Sequence, residues 1–489
     1  MTQPESTTPT TDPTTSPRTT DGPGSHPALP HLERFLGTAR WFGGKGRDLR
    51  AAGVRRVGRL PAGPDEPRVA IDLLEVAYAD GDTELYQLPL LFCTEPQDRL
   101  AHALVGEWDD PDFGPSLVYD AVHDRDAMAL WLAAFDKEGH HEGDHSHALF
   151  FHRLEGHEID TTTHSTLFSG EQSNSSVAFG EDCLMKVFRK VTPGVNPDIQ
   201  IHEVLTRAGS DHVAALYGWL DTYDTATDTV IQLAMLQQFL RTGTDGWDLA
   251  QVSARNLFAE ADLHPHEVGG DFAAEAARLG VALAETHQVL AEHFPTEVRT
   301  PEQLGELADA MHRRLDEALT AVPALEAYAG GLRGGFEAVR ALGGDPIQRI
   351  HGDLHLGQTL RTVRGWKLVD FEGEPAKPLA ERMLPDSVWR DVAGMLRSFD
   401  YAAAAVDRAM TESDADGVEQ RAYRAREWTK RNSDALLEAY TGGRALSADE
   451  RVLLTAYEAD KAIYECVYEV RNRPSWLGIP LGAVERLAS

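Results

Sequence analysis

Two segments in the C-terminal half of the chain carry the residue types that phosphoryl transfer needs. Residues 348–361 contain HGDLHLGQ, with Asp353 and Gln358, and residues 366–374 contain VDFEGE, with Asp370. Each segment is a short apolar run that ends in acids and an amide or a glycine, so two strands joined by a turn would bring the three side chains to one edge. There Asp353 could orient an attacking hydroxyl and accept its proton, while Asp370 and Gln358 offer oxygen ligands to the Mg²⁺ of a nucleotide.

Either segment alone has a simpler interpretation, in which the aspartates cap turns and His351 satisfies a backbone group. Both segments together, following a β-rich region, favour a kinase-type site instead. The chain contains no GxxxxGK[ST] sequence, which excludes a P-loop ATPase.

The composition limits the class of protein further. The 489 residues are 42% hydrophobic and 25% charged, and no apolar run approaches the ~18 residues of a membrane span. The first residues lack the basic and apolar blocks of a signal peptide, and the three cysteines are too far apart for a CxxC zinc site or a disulfide framework. A net charge of −32 argues against nucleic acid or an anionic membrane as the main partner. We therefore expect a cytoplasmic protein with a small-molecule substrate.

The elements that must position the site change in character along the chain. Residues 1–28 are rich in Thr, Pro and Ser and predict a disordered tail. Residues 30–100 predict a small α+β unit, because two runs of β-forming residues flank Asp80-Gly81-Asp82, a strong hairpin signal. The following region predicts a second sheet with strands at 149–154, 175–179, 184–188 and 229–239, and helices at 127–135 and 197–208.

The rest of the chain has a helical bias. Apolar residues recur at helical spacing over 271–290, and the bias continues over 303–319, 391–408, 421–439 and 447–470. The two motif segments interrupt this region. A separate stretch, residues 140–147, holds four histidines among glycines and acids. A solvated loop is a simpler interpretation of this stretch than a metal site.

The motifs resemble those of actinobacterial maltokinases, within the aminoglycoside phosphotransferase-like kinases. HGDLHLGQ followed by DFEGEP carries the resemblance, together with residues 39–46, 169–176, 385–400 and 464–481. It implies an α+β, bilobal, eukaryotic protein-kinase-like fold with an N-terminal α+β cap. We accordingly divide the chain into a tail (1–28), a cap (29–125), a sheet-rich N-lobe (126–240) and a helical C-lobe (241–489).

The resemblance also implies roles for residues that bind ATP and Mg²⁺. Asp353 takes the position of the catalytic base, and Gln358 and Asp370 take the Mg²⁺ positions, with glutamine where many relatives carry asparagine. Lys186 matches the strand lysine that contacts the phosphates, and Glu203 matches its ion-pair partner. A phosphate-binding turn is expected at Ser173, Asn174, Ser175 and Ser176. An ordinary turn between two strands is the alternative explanation for these four residues.

The acceptor is expected in the helical lobe, near Asp353. We assign to it a set of polar and aromatic side chains: His355, Glu372, Arg390, Tyr464, Glu465, Tyr468, Arg471 and Trp476. Core packing is the alternative explanation for the two tyrosines. Residues 464–481 resemble those of maltokinases, and aromatic faces pack on the apolar side of a pyranose, so the set favours maltose over monosaccharides. An amino sugar, its ammonium facing carboxylates, is the alternative.

The predicted reaction is ATP-dependent phosphorylation of maltose to maltose 1-phosphate, with Asp353 activating the anomeric hydroxyl. The first alternative is a kinase for another sugar, notably glucosamine, giving glucosamine 6-phosphate. A non-catalytic, nucleotide-binding pseudokinase would lack the catalytic aspartate, a metal ligand or the strand lysine, and all three are present. The resemblance further implies a place in glycogen or α-glucan synthesis and, in some relatives, an association with trehalose synthase.

Overall fold

The computed structural model describes residues 26–63, 66–136, 149–168, 173–224, 228–260, 262–374, 377–413 and 417–488. The predicted tail, up to residue 25, and the His-rich stretch at 140–147 lie outside the described residues. The fold is α+β, as predicted, and its elements occur in three groups along the chain. None of the helices described is long and apolar enough to cross a membrane.

The first group is a helix packed on an antiparallel sheet. It comprises α1 (Leu29–Thr38), β1 (Leu49–Arg59), β2 (Arg68–Tyr78), β3 (Thr83–Cys93), β4 (Leu104–Asp110) and β5 (Gly114–Asp120). The strand order is β1-β2-β3-β5-β4. The predicted hairpin at Asp80–Asp82 joins β2 to β3, and Gly81 supplies the positive φ of 96° that this turn requires.

The second group is a six-stranded antiparallel sheet with two helices. Its elements are α2 (Arg125–Asp136), β6 (Leu149–Arg153), β7 (Ser165–Leu167), β8 (Asn174–Phe179), β9 (Cys183–Phe188), β10 (Lys190–Val191), α3 (Pro197–Arg207), β11 (Leu216–Asp224) and β12 (Thr229–Gln238). The strand order is β6-β11-β12-β9-β8-β7, so β8 and β9 are neighbours and β12 lies beside β9. The short β10 is not part of this six-stranded sheet; it pairs with β3 of the first group.

A buried ion pair joins the first two groups close to β8. Arg189, at the end of β9, is buried, and its Nη2 lies 2.7 Å from a carboxylate oxygen of Asp120. The same guanidinium donates from Nε to Ser175 Oγ at 2.8 Å and lies over the Trp41 ring, 4.7 Å from its centroid. The first sheet therefore holds β8 and β9 from one side.

The third group is mostly helical. It comprises β13 (Thr244–Asp245), α4 (Gly246–Ala259), α5 (Ala273–His293), β14 (Glu297–Arg299), α6 (Pro301–Ala321), α7 (Ala329–Arg340), β15 (Asp345–Gln348), β16 (Thr359–Thr362), β17 (Gly365–Leu368), α8 (Leu379–Arg382), β18 (Asp386–Ser387), α9 (Val388–Ser413), α10 (Val418–Tyr440), α11 (Ala448–Asn472) and α12 (Gly478–Leu487). Its core includes a cluster of buried rings in which Phe272 packs against Trp366, Phe399 and Trp428 at centroid distances of 5.9–6.2 Å. The β16–β17 hairpin begins after Gln358 and ends before Asp370, so its two ends bring these residues together.

Candidate active site

Lys186 stands at the centre of a cluster of carboxylates on the sheet side of the site. It lies on β9, and its Nζ is 3.1 Å from Asp198 Oδ2, 2.8 Å from Asp370 Oδ1 and 2.8 Å from Glu372 Oε1. Burial acts to lower the pKa of Lys186, but the three carboxylates outweigh it and hold that pKa well above its ordinary value. The lysine is therefore charged at neutral pH and available to an anionic ligand.

The ion-pair partner of Lys186 on α3 is Asp198, not Glu203 as the sequence predicted. Asn196 caps α3 and Pro197 occupies its first position, so Asp198 is placed in the buried first turn that faces β9. Its second oxygen accepts from the backbone N–H of Phe371 at 2.9 Å, directly beside Asp370. Glu203 lies more than one turn further on, where it pairs with Arg207 instead.

Two isosteric variants separate these assignments. We expect Asp198→Asn to weaken MgATP binding about tenfold or more, because it removes the charge that pairs with Lys186. A tenfold change in Kd corresponds to about 1.4 kcal/mol of lost interaction. Glu203→Gln should bind MgATP within a factor of about two of the wild type, since it removes only an exposed pair with Arg207. Isothermal titration calorimetry, with melting temperatures as the folding control, measures both. Equal affinities for the two variants would contradict the assignment of Asp198.

Asp370 and Gln358 meet beside this cluster. Gln358 Nε2 donates to Asp370 Oδ2 at 3.1 Å, and Asp370 has a φ of +66°, a conformation that costs a non-glycine residue energy and tends to occur at functional sites. Asp198, Asp370 and Glu372 each offer an oxygen within 4.8 Å of the others. This set of carboxylate and amide oxygens fits Mg²⁺, which prefers hard oxygen ligands together with phosphate oxygens and water.

A cavity of about 310 Å³ adjoins these residues. It is lined by Ser173, Asn174, Ser176, Leu184, Lys186, Asp198, His202, Gln237, Gln238, Phe239, Leu240, Gln358, Leu360, Val369 and Asp370. Three of the four residues predicted to form a phosphate-binding turn therefore line it, but Asn174, Ser175 and Ser176 belong to strand β8 and not to a turn. Ser175 does not line the cavity, because successive side chains of a strand point to opposite faces and its hydroxyl accepts from Arg189 on the other face. Residues 169–172 lie outside the described part of the chain.

The loop that carries Asp353 is fixed by a buried carboxylate of α9. Asp391 accepts from the backbone N–H of His351 at 2.7 Å and from that of Gly352 at 2.8 Å, and Gly352 has a φ of +87°. His351 Nε2 lies 3.0 Å from the carbonyl oxygen of Val369, which ties the loop to the segment before Asp370. The position of Asp353 is thus linked through His351 to the segment that carries Asp370.

Asp353 lies on the wall of a second cavity, of about 420 Å³, on the helical side. The cavity is lined by Arg299, Leu307, Arg314, Ile350, Gly352, Asp353, Leu354, Gly373, Glu374, Lys377, Glu381, Arg382, Leu384, Pro385, Asp386, Arg390, Gly394, Tyr457, Asp460, Lys461 and Tyr464. Charged side chains of both signs dominate this wall. It is concave and offers many charged and hydrogen-bonding groups beside apolar surface, which suits a polyhydroxylated acceptor.

Two of the predicted acceptor residues line this second cavity. Tyr464 is half exposed at its edge, and Arg390 pairs there with Asp386 at 2.9 Å and Glu374 at 2.7 Å. His355 is half buried beside Asp353 and accepts from the backbone N–H of Gly357. Burial lowers the pKa of His355, so this ring is neutral at pH 7.

The other predicted acceptor residues lie elsewhere. Glu372 lies on the sheet side, against Lys186 and Asn174. Glu465 forms a buried ion pair with Arg397 at 2.7 Å. The remaining three are outside the cavity: Tyr468 lies beside Arg473, Arg471 is exposed, and Trp476 lies against Arg473 and Arg408. Of the predicted acceptor residues on α11, only Tyr464 lines the cavity, where Asp460 of the same helix accompanies it.

Sequence reasoning missed several residues of this wall. Tyr457 and Lys461 lie on α11 at helical spacing with Tyr464, which is the signal that could have found them. Arg299, Arg314 and Asp386 come from three other elements, and only the tertiary fold brings them here.

The chain has detectable relatives over most of its length. Residues 35–124 match the family model of the maltokinase N-terminal cap domain. The chain is 30% identical over 326 residues to the glucosamine kinase of Streptacidiphilus jiangxiensis, covering 63% of this chain and 70% of that protein. It is 25% identical over 335 residues to the glucosamine kinase of Mycolicibacterium smegmatis, covering 65% of this chain and 78% of that protein.

Solved structures of similar fold agree with these sequence matches. A glucosamine kinase structure (crystal form B) superposes with a TM-score of 0.67 at 24% identity, covering 89% of this chain and 94% of that chain. A glucosamine kinase in complex with glucosamine, ADP and inorganic phosphate gives a TM-score of 0.66 at 23% identity, covering 93% of this chain and 98% of that chain. At 24% and 23% identity, these superpositions show that this chain and the two solved structures share a fold.

Proposed function

Because the chain belongs to the family of the glucosamine kinases, with a maltokinase-type N-terminal cap, within the aminoglycoside phosphotransferase-like superfamily, we propose that it transfers the γ-phosphoryl group of ATP to a hydroxyl group of a sugar. The observation that supports this most strongly is the arrangement of the two cavities. Lys186, Gln358 and Asp370 line one of them, and Asp353 lies on the wall of the other. A nucleotide and an acceptor would then meet at the loop between Asp353 and Asp370.

Asp353 acts as the base in this reaction. Burial acts to raise the pKa of Asp353, but nearby positive charge, chiefly that of Lys461, outweighs it and holds that pKa below its ordinary value. The carboxylate is therefore ionised at neutral pH and can take the proton of the acceptor hydroxyl. As the hydroxyl oxygen bonds to phosphorus, the bond from phosphorus to the ADP oxygen breaks, so ATP and sugar give ADP and a sugar phosphate.

Lys186, Asp370 and Gln358 serve the nucleotide. Lys186 is positioned to pair with phosphate oxygens in place of one of its present carboxylate partners. Asp370 and Gln358 would hold Mg²⁺, which neutralises charge on the β- and γ-phosphates when it is bound. Ser173, Asn174 and Ser176 border the same cavity and can donate hydrogen bonds to phosphate.

We propose glucosamine as the acceptor. Both curated relatives named above are glucosamine kinases, and of the aromatic residues predicted to bind a disaccharide only Tyr464 lines the acceptor cavity. Glu381 also lines it and has no ion-pair partner among the described residues, so its carboxylate is available to an ammonium group.

Maltose, the acceptor that the sequence predicted, is the second candidate. The match to the maltokinase cap over residues 35–124 favours it. Among the described residues, however, none of this segment lines the acceptor cavity, whose wall begins in sequence at Arg299. The described residues of the cap therefore have no direct contact with the cavity in which the sugar would bind.

The assignment of glucosamine as the acceptor predicts the ratio of the kcat/KM values for glucosamine and maltose. Under identical MgATP, kcat/KM should be up to about fivefold higher for glucosamine than for maltose, since an ion pair with the exposed carboxylate of Glu381 contributes up to about 1 kcal/mol. A coupled assay of ADP release measures both values, with glucose as the neutral control of the same ring size. A ratio that favours maltose would contradict the glucosamine assignment and support the second candidate.

A further inference from the structure

A lysine that the motifs do not include touches the catalytic base. Lys461 lies on α11, and its Nζ is 3.2 Å from Asp353 Oδ1. Both residues line the acceptor cavity. The other carboxylate oxygen of Asp353, Oδ2, has no hydrogen-bond partner among the described residues, so one oxygen is held and the other is left for an acceptor hydroxyl.

The catalytic loop itself supplies no comparable cation. HGDLHLGQ contains neither lysine nor arginine, and the pKa of His355 is lowered by burial, which leaves that ring neutral. The lysine of the nucleotide side, Lys186, is engaged by three other carboxylates. In the described part of the chain, Lys461 is thus the one cation that forms an ion pair with Asp353.

The surroundings of Lys461 keep it charged and in place. Burial acts to lower its pKa, but the carboxylate of Asp353 and those of Glu465 and Glu374 outweigh it, so the pKa is raised. Glu465 and Glu374 have their own partners in Arg397 and Arg390. The ring of Tyr464 lies with its centroid 5.6 Å from the ammonium, one turn further along α11.

We propose that Lys461 is a positioning residue for phosphoryl transfer, which holds Asp353 ionised and turned so that its free oxygen faces the acceptor hydroxyl. Lys461 itself exchanges no proton. The acceptor proton goes to Asp353, the hydroxyl oxygen bonds to phosphorus, and ADP leaves with the electrons of the broken bond. The positive charge of Lys461 also offsets the negative charge of the Asp353 carboxylate, which lessens the repulsion between that carboxylate and the anionic phosphoryl group. The proposal rests on the phosphotransferase function proposed above.

The direction of the pH effect follows from the charges around Asp353. In the wild type the Lys461 ammonium opposes burial, and His351, His355 and Tyr464 also face Asp353. Without Lys461, burial dominates and the base is harder to ionise. The acid limb of kcat/KM, which reports the pKa of the base in the free enzyme, therefore moves to higher pH.

The experiment compares Lys461→Met and Lys461→Arg with the wild-type full-length chain, using MgATP and glucosamine. Lys430→Met is the matched control, because it removes a lysine that pairs with Asp434 on the exposed face of α10. We expect Lys461→Met to lower kcat about tenfold or more, as a part of the ~10²–10⁴ that a general base contributes, and to shift the acid limb upward. KM for ATP should stay within a factor of about two. Lys461→Arg should recover most of kcat and the wild-type acid limb, and Lys430→Met should change neither.

The outcomes separate this proposal from the proposed function. If the wild type phosphorylates glucosamine and Lys461→Met keeps the wild-type kcat and acid limb, the role of Lys461 is wrong and the kinase function stands. If Lys461→Met loses activity but Lys461→Arg does not recover it and the acid limb is unmoved, Lys461 serves only packing, and the proposal is again wrong. If the wild type phosphorylates no sugar, the function fails first, and the proposal that rests on it fails with it.

Discussion

Replacing Asp353 with asparagine should lower kcat by about 10²–10⁴-fold, the usual contribution of a general base, and leave MgATP affinity unchanged. The substitution keeps the size of the side chain and removes the carboxylate that accepts the proton of the sugar hydroxyl in the proposed mechanism. Asp353 lines one cavity, whereas Lys186, Gln358 and Asp370 line the other. Turnover by coupled ADP release and affinity by calorimetry measure the two quantities separately.

Asp434→Asn is the matched control for this variant. It is the same chemical change at an exposed position that pairs with Lys430 outside both cavities, and both its kcat and its MgATP affinity should equal those of the wild type. An Asp353→Asn variant with turnover close to the wild type would remove Asp353 from the mechanism.

Asp370→Ala, unlike Asp353→Asn, should weaken the binding of MgATP. We expect it to weaken nucleotide binding in the presence of Mg²⁺ by more than about 100-fold, since even the outer partners of metal ligands contribute 10–100-fold to metal affinity. The variant removes the carboxylate that meets Gln358 at 3.1 Å and Lys186 at 2.8 Å. Calorimetric titration of ATP with and without Mg²⁺ measures the metal-dependent part of binding.

The contrast between the two aspartates is itself the control for this second prediction. Asp353→Asn should keep the stimulation of ATP binding by Mg²⁺, and Asp370→Ala should lose it. If Asp370→Ala bound ATP with the wild-type dependence on Mg²⁺, the ligand assignment would be wrong and Asp198 with Glu372, the other carboxylates of the cluster, would be the ligands to test next.

Local patterns were sufficient to predict the parts of the fold in which neighbours in sequence are also neighbours in space. The β2–β3 hairpin followed from Asp80-Gly81-Asp82, and α5, α6, α9, α10 and α11 from apolar periodicity. Strand β1 was not predicted, because its glycines and arginines, Arg56 among them, break the apolar alternation typical of a strand. That guanidinium is satisfied only by tertiary contacts, 2.9 Å from both Asp72 and Asp110.

The residues of the candidate site also divide into those that local sequence predicts and those that only the tertiary fold brings together. Asp353, Gln358 and Asp370 could be found because they lie within 18 residues of one another around one hairpin. The partner of Lys186 could not be chosen from sequence, since Asp198 and Glu203 are both acids of α3 and only the orientation of the helix against β9 decides between them. The acceptor wall gathers side chains from several distant elements, so the aromatic residues near the C terminus were an incomplete guide to it.

The central claim, that this chain transfers phosphate from ATP to a sugar hydroxyl, is tested most directly by ³¹P NMR of the products. Wild-type protein incubated with MgATP and glucosamine, and in parallel with maltose, should convert ATP to ADP and an equal amount of a phosphate ester whose signal is coupled to sugar protons. Asp353→Asn should give no ester over the same time. Conversion of ATP to ADP and inorganic phosphate without a sugar ester, or unchanged ATP, with both sugars would contradict the account.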